Sequence, residues 1–164
     1  MAGDDYGWLM TDTWEGLDAL ARELYLQSRS LDELQILAHS KEDIASSVPA
    51  IWPIEYRNLR KMDHYGGRMH PIYRRYIFHK GIDLGAHNGD LVFATANGVI
   101  KSTSLGQARV GYGQQVLIDH GIGYQTRYAH LSSIDVKPGQ VVKRGEMIGK
   151  VGSTGGSTGP HLHY

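Results

Sequence analysis

Glycine cuts the second half of the chain into short β-rich runs, and that punctuation limits the fold more than any other feature. Leu91-Ala94, Gly98-Ser102, Gln115-Asp119, Tyr124-His130, Val141-Val142 and Met147-Val151 are candidate strands. Gly111, Gly113, Gly121, Gly123, Gly139, Gly145, Gly149 and Gly152 fall between or inside them. Short strands at close spacing, separated by glycine turns, indicate a mainly β fold. The expectation is an antiparallel β-sandwich or barrel-like core.

The N-terminal third has a different period. Leu17, Leu20, Leu24, Leu31, Leu34 and Ala38 recur at spacings of three, four and seven, which marks one apolar stripe on a helix. Ser30-Leu31-Asp32-Glu33 and Ser40-Lys41-Glu42-Asp43 have the form of capping boxes. They predict two or three short helices over residues 13–46. Pro49 and Pro53 bracket Ala50-Ile51-Trp52, an extended linker or first edge strand. The expected organisation is a helical arm or stalk remnant over 1–48, a linker over 49–63 and a β domain over 64–164.

Lys plus Arg and Asp plus Glu both number 17, so the chain carries no net field to attract nucleic acid. Any substrate is therefore recognised by local groups in a cleft. Cysteine is absent, which excludes thiolate ligands, a thiol nucleophile and disulfides. No stretch reaches the length of a membrane span. The first residues are acidic and carry no apolar core of signal-peptide length.

Seven of the nine histidines lie between His70 and His163. In a strand, His161 and His163 share a face while Leu162 points to the core. If His79-Lys80-Gly81-Ile82-Asp83 is extended, His79, Gly81 and Asp83 also share a face. Gly81 then leaves room between two would-be ligands. Tyr124, Thr126, Tyr128 and His130 fall on one face of their strand, a polar face suited to lining a groove. His130 there serves as general base or electrostatic stabiliser, or as a hydrogen-bonded structural histidine. Two or three imidazoles with one carboxylate suit a catalytic zinc site, with three protein ligands and a fourth position left for water or substrate. Such ligands do not exclude manganese, cobalt or nickel.

His79-x-Gly81-x-Asp83, Tyr128-Ala129-His130-Leu131 and Gly152-Ser153-Thr154-Gly155-x-Ser157-Thr158-Gly159-Pro160-His161-Leu162-His163-Tyr164 resemble, in order, the signatures of M23 metallopeptidases. These are the lysostaphin/LytM-type peptidoglycan endopeptidases. Arg68-Met69-His70-Pro71-Ile72 resembles the segment leading into the first motif. The resemblance covers roughly residues 64–164. It implies one Zn²⁺ per chain held by His79, Asp83 and His163, with His130 and His161 as catalytic imidazoles. It also implies a peptidoglycan peptide substrate and an extracytoplasmic bacterial location. Family members continue past the position of Tyr164, so a C-terminally truncated domain is expected.

Arg68 and Tyr128 are candidate substrate-binding residues, with a structural ion pair as the alternative for Arg68. His120 is expected to orient the fold, His87 to occupy a turn, and the loop from Gly152 to Pro160 to form one wall of the groove. Val136 to Gly149 resembles the hairpin of lipoyl and biotinyl carriers, but no lysine follows in a comparable exposed turn. The stronger rival is a non-catalytic M23-like regulator that activates another cell-wall hydrolase. Such relatives have lost ligands, and all five site residues are present here. The helical arm is expected to serve a partner, self-association or autoinhibition.

Overall fold

The computed structural model describes residues 5–69, 74–107 and 109–164, with side chains from residue 13 onward. His70, Pro71 and Ile72 of the lead-in motif lie outside the described residues. The chain divides into two compact units, Met1–Asp43 and Ile44–Tyr164.

The described residues of the first unit belong to a single helix, α1 (Asp5–Ser47). The expectation of two or three short helices is not met. No glycine or proline interrupts the sequence between Gly16 and Pro49, so nothing forces a break. Ser30 and Ser40 lie inside the helix rather than at its start. Ser40 Oγ instead donates back to the Leu37 carbonyl, 2.9 Å away. Side chains four apart support the continuous helix, as in the Arg22–Asp18 pair at 2.6 Å.

The second unit is a mainly antiparallel β fold. Its strands are β1 (Lys61–Asp63), β2 (Gly66–Met69), β3 (Tyr76–His79), β4 (Asp83–Gly85), β5 (Leu91–Phe93), β6 (Gly98–Ser104), β7 (Gln114–Asp119), β8 (Gln125–Ile134), β9 (Val141–Val142), β10 (Met147–Val151) and β11 (His161–His163). Nine of them form one sheet, in the order β1-β4-β11-β8-β7-β6-β9, with β10 joining β8 and β5. β2 and β3 form a separate two-stranded ladder. β8 is the branch point, because it pairs with β7, β10 and β11 along its length.

The core gathers alternate residues of these strands: Leu84, Val92, Ile100, Val116, Ile118, Leu131, Ile148, Val151 and Leu162 are all essentially buried. Residues 49–63, expected as a linker, contribute to the same core and sheet. Ile54 bridges Val92 and is buried, and β1 pairs with β4. Among the described residues, no helix is long and apolar enough to cross a membrane.

Candidate metal centre

Strand register brings the site together. β11 pairs with β4 so that His163 lies opposite Asp83 and His161 opposite Gly85. Beyond the last pair, Ile82 and Tyr164 exchange two backbone hydrogen bonds of 2.7 and 2.8 Å. β11 also meets β8 through His163 and Ala129, which sets His130 beside the pair.

His79 arrives by another route. It ends β3, and Lys80 to Ile82 turn the chain before Asp83 opens β4. The expected continuous strand with His79, Gly81 and Asp83 on one face is therefore replaced by a turn between two sheets. Gly81 is still required. A Cβ there would lie 2.6 Å from the Tyr164 carbonyl oxygen and 2.8 Å from His163 ring atoms.

Three donor atoms converge. His79 Nε2 lies 3.1 Å from Asp83 Oδ1 and 3.0 Å from His163 Nδ1, and His163 Nδ1 lies 2.9 Å from Asp83 Oδ1. These are the groups that could hold a metal ion. A tetrahedral site with bonds of about 2.0–2.1 Å has ligand–ligand edges of about 3.3 Å, so the three atoms fit zinc to within a few tenths of an ångström. His79 Nδ1 faces the His64 carbonyl at 3.0 Å. The carbonyl accepts, so Nδ1 carries the proton and the Nε2 lone pair points at the other two donors.

Asp83 uses both oxygens. Oδ1 faces the histidines, and Oδ2 accepts from Arg68 Nη2, whose Nη1 donates to Asp63 at 3.0 Å. Burial alone would favour the protonated acid. The hydrogen bonds from His163 and Arg68, with the nearby imidazoles, outweigh it and hold Asp83 well below the usual carboxylate range.

His130 and His161 form a second pair, with ring centroids 4.7 Å apart. His130 sits in the left-handed region at φ +62°, where two β8 residues, Ala129 and His130, face the single Gln115 of β7. Such a conformation in a non-glycine residue costs on the order of 1 kcal/mol or more. It is held by the His130 N–H bond to the Tyr112 carbonyl, 2.9 Å, and by His130 Nδ1 donating to the Thr154 carbonyl, 2.7 Å. Burial pushes His130 down to about 4, although the Thr154 carbonyl opposes the shift. Its ring is therefore neutral at pH 7 with a free Nε2 lone pair. His161 Nδ1 donates to the Gly159 carbonyl at 2.8 Å, which leaves its Nε2 3.7 Å from Asp83 Oδ1.

His79, Asp83, His130, His161 and His163 all line one cavity of about 720 Å³, and Arg68 lines it with them. Gly156 to Pro160 form part of its wall. Tyr128 does not belong there. It is fully buried, and its hydroxyl meets the Thr95 N–H at 3.0 Å and the Thr126 hydroxyl at 3.1 Å. The bulge breaks the two-residue alternation, so Tyr128 turns into the core while His130 turns into the cavity. His120, also buried, bridges the Asn97 carbonyl and Thr126 Oγ1 at 2.7 Å each.

Tyr112 is the site residue that sequence reasoning missed. Its ring lies 5.3 Å from that of His163, and the Arg127 guanidinium stacks over it at 4.2 Å. The available signal was its place between Gly111 and Gly113. Gly113 has φ +60°, and a Cβ there would lie 2.4 Å from Thr154 backbone, so only glycine lets the two loops meet.

Comparison with known proteins follows the same residues. The family model described as peptidase family M23 matches residues 77–164. The DD-carboxypeptidase/endopeptidase Mpg of Neisseria meningitidis is 52% identical over 114 residues, covering 70% of this chain and 25% of that protein. The peptidoglycan DD-endopeptidase ShyA of Vibrio cholerae is 45% identical over 97 residues, covering 59% of this chain and 22% of the relative. The chain thus spans about a quarter of the length of these curated relatives. Among solved structures, the catalytic domain of lysostaphin from Staphylococcus simulans matches with a TM-score of 0.56 and 37% identity, over 65% of this chain and 78% of that one. A zinc-containing peptidase from Vibrio cholerae matches with a TM-score of 0.58 and 36% identity, over 68% of this chain and 34% of that one. Motif order, donor geometry and family match coincide on one stretch of sequence: the chain belongs to peptidase family M23.

Proposed function

We propose that this chain is a zinc-dependent endopeptidase that hydrolyses peptide cross-links of bacterial peptidoglycan. The observation that carries the reading is the convergence of His79, Asp83 and His163 within about 3 Å beside the rings of His130 and His161. His79, Asp83 and His163 would hold the ion, and Arg68 orients Asp83 from behind. The ion supplies Lewis acidity, acidifying water and polarising a carbonyl.

The chain's own groups do the rest. His130 Nε2 accepts a proton from the attacking water, which a neutral buried imidazole can do at pH 7. His161, beside it, accepts a hydrogen bond from the same water through Nε2 and orients it, and the Gly159 carbonyl fixes its ring. The proton returns to the departing amine, so two histidines suffice without a glutamate base. The name of the Vibrio cholerae relative supports peptidoglycan as substrate and, with it, a site of action outside the cytoplasm.

Metal-replete protein is incubated with purified sacculi and isolated cross-linked muropeptides, and the products are read by mass spectrometry. Cleavage abolished by chelation supports the reading. Intact sacculi and muropeptides in the presence of bound metal overturn it in favour of a regulator of another hydrolase.

A further inference from the structure

The run of strands β1–β4–β11 lays its side chains out as a grid. Asp63, Asp83 and His163 pair across it in one row, and Lys61, Gly85 and His161 in another. Opposed residues of an antiparallel ladder share a face, and so do residues two apart on one strand. The row between them, Met62, Leu84 and Leu162, takes the other face, where Leu84 and Leu162 lie in the core. Lys61 therefore stands on the cavity face in the same row as His161, with Gly85 between them. Neighbouring strands lie 4.7–4.9 Å apart, so the Lys61 and His161 backbones are about 10 Å from each other. The missing side chain at Gly85 leaves a slot in that face, since a Cβ there would lie 3.4 Å from Lys61 Cβ. Lys61, Gly85 and His161 all line the cavity that contains the donor cluster.

Charge selects what fits the slot. The lysines and arginines of the cavity wall are Arg60, Lys61, Arg68 and Lys80, and its acids are Asp63 and Asp83 alone. Arg68 engages both acids. Arg60 and Lys80 make no ion pair among the described residues. Lys61 Nζ lies 3.4 Å from Asp63 Oδ1, but the two side chains are 77% and 42% exposed. Such a pair contributes about 0–1 kcal/mol, so the ammonium exchanges readily for a substrate acceptor while Asp63 keeps Arg68. A peptide whose scissile carbonyl sits beside His161 would run over the slot toward Lys61. The four-carbon stem reaches back, and about two residues of extended chain cover the remaining distance. We infer that Lys61 and Gly85 form a specificity subsite that selects peptides bearing a free carboxylate within about two residues of the cut bond. The inference rests on the peptidase reading above, which puts that bond at the metal centre.

The test is equilibrium binding to the zinc-loaded full chain carrying His130→Ala, which slows turnover. Three synthetic cross-linked peptides are titrated. One has all carboxylates free, one has the side-chain carboxylate nearest the cut bond as its amide, and one has the C-terminal carboxylate as its amide. At least one amide is expected to bind about five- to tenfold more weakly than the free form, and which one does so identifies the carboxylate. With Lys61→Gln added, all three should bind alike. Lys61→Arg should restore the preference. Equal affinities for the three peptides without Lys61→Gln, no binding of any, or a preference that survives Lys61→Gln overturns the inference. Wild-type cleavage of the same peptides is read separately. Selective binding without cleavage removes the peptidase reading and leaves the subsite, whereas cleavage without selectivity does the reverse.

Discussion

His163 and Asp83 face each other across the β11–β4 ladder with Nδ1 and Oδ1 2.9 Å apart. Their meeting is a consequence of backbone pairing, so the spacing is as rigid as the sheet. His79 is brought to the same point by the end of a different ladder.

This arrangement predicts a division of labour. His79→Ala or Asp83→Ala should lose the metal, measured as metal per chain by mass spectrometry. His130→Ala should retain it while cleavage falls by about 10²–10⁴-fold. Loss of metal in all three variants would refute the separation of holding and proton transfer.

Arg68 touches the carboxylate oxygen that faces away from the histidines. Arg68→Ala should therefore weaken metal binding by about 10–100-fold, in a titration against a chelator, without unfolding the domain. Arg68→Lys should recover part of the loss, because it restores charge without the two-pronged contact to Asp63 and Asp83.

Gly81→Ala would place a methyl group against the Tyr164 backbone and the His163 ring. Stability should drop by about 1–3 kcal/mol in chemical denaturation, from overpacking. Metal content should fall with it, since the displaced ring carries a donor.

Tyr128→Phe leaves the Thr95 N–H without its partner in a buried setting. A cost of about 1–3 kcal/mol is expected. Metal content and KM should not move, which separates this residue from the cavity it was expected to line.

Two phenols give the domain an alkaline limit. Burial raises Tyr128, and it pushes Tyr164 up to about 12 from an unfolded value of 10.0. The folded state favours the neutral ring, so this stabilisation is complete below pH 10 and is lost as pH rises from 10 toward 12. Thermal midpoints across that range should be flat, then fall, and Tyr164→Phe should soften the fall.

Much of the architecture was legible, for identifiable reasons. Strands β5 to β10 announce themselves by apolar residues between glycine turns. By contrast, β1 and β2 are short and polar or glycine-rich, and they take shape from their partners rather than from propensity. The five histidine and aspartate side chains could be picked out by residue type and spacing. The carbonyls of His64, Thr154 and Gly159 that orient three of the rings are main-chain groups with no residue signature. Tyr128 was misplaced because alternation holds only in an unbulged strand, and the bulge at Ala129 and His130 follows it directly. The capping patterns in α1 misled because a serine in mid-helix finds an acceptor one turn back.

His79 and His163 stand 84 positions apart in the chain and 3.0 Å apart in space. An ion seated between them would act as a removable cross-link, closing a loop that takes in about two-thirds of the β unit. By the usual closure entropy such a tie is worth about 4 kcal/mol against the unfolded chain. Chelation should then do more than silence the site. It should lower the melting temperature of the whole β unit and widen the fluctuations of both chain segments that the ion had fastened together.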